Sequence, residues 1–64
     1  MHVSFLAYSS IPERRSVALN LEDGTLVMLH EGEGAADFVL ARIFPDHVEL
    51  RQGGRLFTVH ARGD

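Results

Sequence analysis

"AADFVLARIF", residues 35–44, decides the fold, because it reads in two ways. Wound as a helix, Ala36, Val39, Leu40 and Ile43 line one face, and Pro45 ends the turn. Extended, Val39, Ala41 and Ile43 face one way and Phe38, Leu40 and Phe44 the other. Periodicity alone does not separate the two over so short an apolar run. The flanks favour the strand: Gly34 is a weak N-cap, and strand patterns lie on both sides.

Downstream, Pro45-Asp46 turns the chain into His47-Val48-Glu49-Leu50-Arg51, which alternates cleanly with Val48 and Leu50 inward. Gln52-Gly53-Gly54 is a hairpin signal, since glycine supplies the positive φ angles that tight turns require. Arg55 to His60 then sets Phe57 and Val59 against Leu56 and Thr58, and Ala61 to Asp64 reads as a frayed tail. Upstream, Glu31-Gly32-Glu33-Gly34 is a loop, Thr25 to His30 a strand, and Glu22-Asp23-Gly24 a second hairpin signal. Val17, Leu19 and Leu21 alternate with Ser16, Ala18 and Asn20. Residues 2–8 place Val3, Phe5 and Ala7 on one face and His2, Ser4, Leu6 and Tyr8 on the other. Pro12 separates these two stretches, because it lacks the N–H a ladder needs. The sum is an all-β domain, a small antiparallel sandwich or open barrel of about six short strands.

Sixty-four residues make one domain at most. A chain of that size buries only about 60% of the surface its unfolded form exposes. There is no cysteine, so disulfides do not staple it. A formal charge of −3 argues against a nucleic-acid partner, whose footprint is a basic face. No apolar run reaches the roughly 20 residues a membrane span needs. Met1-His2 leads straight into a strand pattern rather than a signal peptide. The chain reads as a piece excised from a longer one.

No catalytic constellation emerges. Ser9 and Ser10 have no activating partner nearby, and "GEGAAD" lacks the lysine of a phosphate-binding loop. His2, His30, His47 and His60 are scattered, and His30 with Glu31 and Glu33 reads as strand-end and loop polarity rather than a metal site. A domain this small rarely encloses the roughly 300 Å³ that ligand sites occupy. The terminal Arg62-Gly63-Asp64 reads as chance. We therefore expect no enzyme, cofactor or metal.

From His2 through Pro12 there is no formally charged side chain. At a sheet edge such a strand lacks the charge that usually blunts edges, and it offers a template for another strand. Val3, Ser4, Phe5, Leu6, Ala7 and Tyr8 are therefore the candidate partner-binding residues. Arg14 and Arg15 read either as a partner contact at its rim or as a solvated pair with Glu13, Glu31 or Glu33.

Taken in order, "YSSIPERRSVALN" at 8–20, "EGE" at 31–33, "RIFPDHVEL" at 42–50 and "GGRLFTV" at 53–59 form a pattern. It resembles the C-terminal periplasmic domain of the type II secretion system protein B family, over nearly the whole chain. Departures are a longer hairpin at Asn20 to Gly24, Glu33 for the usual Asp, and His47 for the Gly that follows Asp46. The resemblance implies a homology-region-like β-domain, as in protein C of the same system, carried in the periplasm on an inner-membrane anchor. It implies a non-enzymatic assembly factor that binds the N-terminal periplasmic domain of the outer-membrane secretin (protein D), in some systems with an ATPase partner, protein A. Val3 to Tyr8 would pair with the secretin or with a second copy, a homodimer, and Arg14 and Arg15 would set orientation. The rival readings are a small intracellular β-barrel that binds peptide or RNA, and a metal-binding domain.

Overall fold

Seven strands arise where the apolar alternation places them, and each is short because a turn signal ends it. In the computed structural model, which describes residues 1–61, they are β1 (His2–Ala7), β2 (Ser16–Asn20), β3 (Leu26–Leu29), β4 (Gly34–Ala35), β5 (Phe38–Ile43), β6 (His47–Gln52) and β7 (Arg55–His60). One turn of 3₁₀ helix, Pro12–Arg14, joins β1 to β2. The strands form two antiparallel sheets, β1-β2-β3 and β4-β5-β6-β7. β1 lies beside β7 and β3 beside β4, without ladder pairing across those seams. The described residues are thus all-β, the small antiparallel sandwich expected, with seven short strands among them. No helix among the described residues is long and apolar enough to cross a membrane.

The core lies between the sheets. Val3, Val17, Leu19 and Leu29 come from one, and Phe38, Leu40, Ile43, Val48 and Leu50 from the other. No polar or charged side chain is buried among them. Packing between the sheets is therefore purely apolar, with polar side chains kept to the periphery.

Residues 35–44 are extended, and the helical alternative falls. Their inward set is Phe38, Leu40 and Ile43, matching neither simple alternation. A β-bulge at Ala41 explains this: Leu40 pairs with Leu50 and Arg42 with Glu49, so Ala41 is the extra residue. The bulge resets the pleat, and Leu40 and Ile43, three apart, point the same way. That spacing is what imitated a helix. Ahead of it, Ala35 pairs with Phe38, and Ala36-Asp37 make a two-residue hairpin that sequence patterning did not reveal. Ala36 adopts φ 52°, a left-handed angle that glycine usually fills.

A second bulge corrects the faces expected for β1. Val3 pairs with Leu19 and Phe5 with Ala18, leaving Ser4 as the extra residue. Val3 is core and Leu6 packs against it, while Phe5 points out. The Asn20 amide fixes the bulge by donating to Ser4 Oγ, with His2 Nε2 3.0 Å away.

The glycine turns behave as expected. Gly24 takes φ 91° in the β2–β3 turn, and Gly53 and Gly54 take 57° and 80° between β6 and β7. His47, where the resembled family has glycine, stacks on Phe44 at 4.3 Å and hydrogen-bonds Asp46 Oδ1 through Nδ1 at 2.6 Å. Ala61 is not frayed, for its N–H donates to Asp46 O at 2.9 Å and it packs against the core. The rest of the expected tail, 62–64, lies outside the described residues.

Candidate functional site: the β1 edge and its rim

Sheet order puts β1 at an edge, paired only with β2. Its six residues carry no formal charge, so the side that no ladder pairs, although β7 lies near it, presents backbone donors and acceptors without an electrostatic guard. The candidate residues divide by face. Val3 is buried and Leu6 is half-buried against the core, so these two hold the strand to it, while Ala7 is half-buried outside that cluster. Ser4, Phe5 and Tyr8 are exposed, and Phe5 leaves 56% of its surface to solvent.

Phe5 does not stand alone. Across the outer face of the sheet, register aligns Phe5 with Ala18 and Ala18 with Met28. Ala18 is nonetheless buried, flanked by the two larger side chains, and Met28 is 60% exposed. Leu26, two residues along β3, adds a further exposed apolar side chain on that face. Sequence reasoning missed Leu26 and Met28 as part of this surface. The signal was the period-two pattern Leu26/Met28 against Val27/Leu29, whose outward half turned out to be apolar too.

The two arginines part company. Arg14 is exposed at the end of the 3₁₀ turn and enters none of the ion pairs among the described residues. Arg15 is turned inward, with its side chain only 13% exposed. Its Nε donates to Ser9 O at 2.6 Å, its Nη1 to Glu31 Oε2 at 3.0 Å, and its Nη2 to Tyr8 Oη at 3.3 Å. The guanidinium also sits 4.6 Å from the Tyr8 ring centroid. Glu31 Oε2 in turn accepts the Ile43 N–H at 2.8 Å. This hub ties the end of β1, the β3–β4 loop and the end of β5 together. Partial burial works against ionising Glu31, but the Ile43 N–H and the Arg15 guanidinium outweigh it and hold the carboxyl below its ordinary range. Arg15 therefore shapes the rim, and Arg14 is the cation left facing outward.

The residues weighed for metal are occupied otherwise. Glu31 faces Arg15, and Glu33 Oε1 accepts the His30 N–H at 2.7 Å. Among the described residues, no three His, Cys, Asp or Glu side chains converge to hold an ion. At the end of the sandwich where β1 begins lies a groove of about 460 Å³, open to solvent rather than enclosed.

Compared with protein-family models, with curated proteins and with solved structures, the chain matches none.

Proposed function

We propose that this chain is a non-enzymatic interaction domain that recruits its partner by strand addition along β1, and that the partner is the N-terminal periplasmic domain of a type II secretion system secretin. The observation that carries the reading is an uncharged edge strand with Phe5 exposed on it, continuous with the apolar row Phe5-Ala18-Met28. Backbone pairing supplies affinity in such recognition, and alternate side chains supply selectivity. The identity of the partner rests on the resemblance of the ordered segments at 8–20, 31–33, 42–50 and 53–59 to the protein B family. In this reading the domain works in the periplasm, tethered to the inner membrane through an anchor outside these residues. Arg14 at the rim steers orientation and on-rate more than affinity.

The test is an NMR titration of the labelled domain with that secretin domain. Shifts concentrated in Val3 to Tyr8 and at Arg14 support the reading, and shifts confined to other strands refute the edge. Phe5→Glu is the decisive variant, because Phe5 is exposed and the change leaves the core intact. It should abolish binding while the amide spectrum keeps its dispersion. Leu6, which alternation alone would make equally suitable, packs against the core, so charging it would unfold the domain instead. Shifts in β1 that depend only on the domain's own concentration would reassign the edge to a second copy.

A further inference from the structure

The groove at the end of the sandwich has a composition that selects its occupant. Its floor is apolar, made of Leu21, Phe38, Leu50 and Phe57. Phe57 faces inward with Leu50, its cross-strand partner, yet stays 42% exposed because nothing fills the space above it. The rim carries Glu22, Asp23 and Asp37, contributed by the β2–β3 and β4–β5 turns. No arginine or histidine lines the groove, and the chain has no lysine. Asp23 Oδ1 accepts the Thr25 N–H at 2.9 Å, which holds this carboxylate at the exposed rim. The volume, about 460 Å³, falls within the roughly 300–1,000 Å³ typical of ligand sites.

We propose that this groove binds a linear peptide segment of a partner protein that carries an aliphatic or aromatic side chain next to basic residues. The apolar side chain covers Phe57 and Leu50, and the basic neighbours pair with Glu22, Asp23 and Asp37. Anionic ligands are disfavoured by three exposed carboxylates at the rim, which outnumber the one cationic group among the lining residues, the α-amino terminus of Met1. A second copy is a poor occupant, because each chain carries −3 and would bring more acid than base to an acidic rim. The groove lies at the end of the sandwich rather than along β1, so a chain strand-paired at the edge can still reach it with a flanking segment.

The experiment titrates the ¹⁵N-labelled domain with acetyl-Lys-Leu-Lys-amide, acetyl-Glu-Leu-Glu-amide and acetyl-Lys-Ser-Lys-amide at low salt. The first should bind with a Kd on the order of millimolar, as one buried side chain with two exposed ion pairs allows, and should move the amides of 21–23, 36–38, 50 and 57. The acidic peptide and the serine peptide should each bind at least about tenfold more weakly. The double variant Glu22→Gln/Asp37→Asn keeps side-chain size and fold, and should lose about fivefold in affinity and most of the salt dependence. Equal binding of the acidic peptide, unchanged binding by the double variant, or no shift at these amides overturns the proposal. So does movement of the same amides on dilution without peptide, which would mean that a second copy fills the groove. None of these results bears on strand addition at β1, which the secretin titration tests separately.

Discussion

Replacing Glu31 by alanine should cost more than any other single change on the surface of this domain. The carboxylate is 19% exposed and one oxygen serves two donors, Arg15 Nη1 at 3.0 Å and Ile43 N at 2.8 Å. A hydrogen bond to a charged group contributes about 1.5–3 kcal/mol, and a donor left unpartnered costs about 1–3 kcal/mol more. Water reaches part of the site, so we take roughly 2–3 kcal/mol for the whole change. A chain of this length has a total stability of only about 3–10 kcal/mol. The loss is therefore a large share of it, and corresponds to a fall in Tm of roughly 10–20 °C. Urea and thermal melts followed by circular dichroism at pH 7 read it directly. Glu31→Gln retains an acceptor for Ile43 and should lose about half as much. Arg15→Met should be costly for the same reason, and the double variant should show a coupling of about 1 kcal/mol or more. A Glu31→Ala domain within about 0.5 kcal/mol of the parent would refute the hub, and strictly additive losses would show that the two side chains do not act through each other.

Two further outcomes follow from the same geometry. Ala36→Gly should stabilise the domain by up to about 1 kcal/mol, because the left-handed φ of 52° costs an L-residue about 1–2 kcal/mol while glycine costs about 0.4–1 kcal/mol through the unfolded chain; a lower Tm for that variant would show that the turn is not strained. Acid should destabilise the fold, since the carboxyls of Asp23, Glu31, Glu33 and Asp46 all ionise below their ordinary values, 3.8 for aspartate and 4.5 for glutamate. The main causes are the Thr25 N–H for Asp23, the His30 N–H for Glu33 and the His47 ring for Asp46, with Glu31 held by Ile43 and Arg15 against its partial burial. The folded chain then binds fewer protons than the unfolded one, so the contribution is complete above pH about 4.5 and is lost as pH falls through the lowered folded values. Urea midpoints measured from pH 6 to pH 3 should fall, and fall less steeply for Glu31→Gln.

What the sequence made legible follows the chemistry of particular residues. Asp23-Gly24 and Gly53-Gly54 announce their hairpins because only glycine takes those φ values without cost. Ala36-Asp37 makes an equally tight hairpin without glycine, so nothing in composition marks it. The bulges at Ser4 and Ala41 are invisible for a different reason: serine and alanine fit a regular strand as well as a bulge. Both bulges invert the faces downstream, which is why Phe5 was expected beside Val3 and is found opposite it. The Arg15–Glu31 pair was among the pairings the sequence allowed, but the choice between an internal tie and a partner contact spans sixteen residues. Only the tertiary fold brings the end of β1 to the β3–β4 loop.

The bulge at Ser4 also limits how a partner strand can dock in the function proposed for β1. Bulges ordinarily blunt an edge, because they twist the strand and break the regular spacing of donors and acceptors. An incoming strand therefore cannot run the full length from His2 to Ala7 in one register. The regular part lies beyond the bulge, Phe5 to Ala7, which pairs with Ala18, Val17 and Ser16 without interruption. This is also where Phe5 joins Met28 across the outer face, so a residue of the added strand opposite Phe5 extends an existing apolar row from three positions to four. Val3 and Leu6 are committed to the core and give the partner no side-chain contact on that face. Selectivity then rests on Phe5, whereas Leu6 supplies only the backbone. On that division, Phe5→Leu should weaken the secretin complex only modestly, since it keeps the apolar row, whereas Phe5→Ser should weaken it by about tenfold or more through the lost apolar burial. Equal affinities for the two variants would mean that the strand is recognised by its backbone alone.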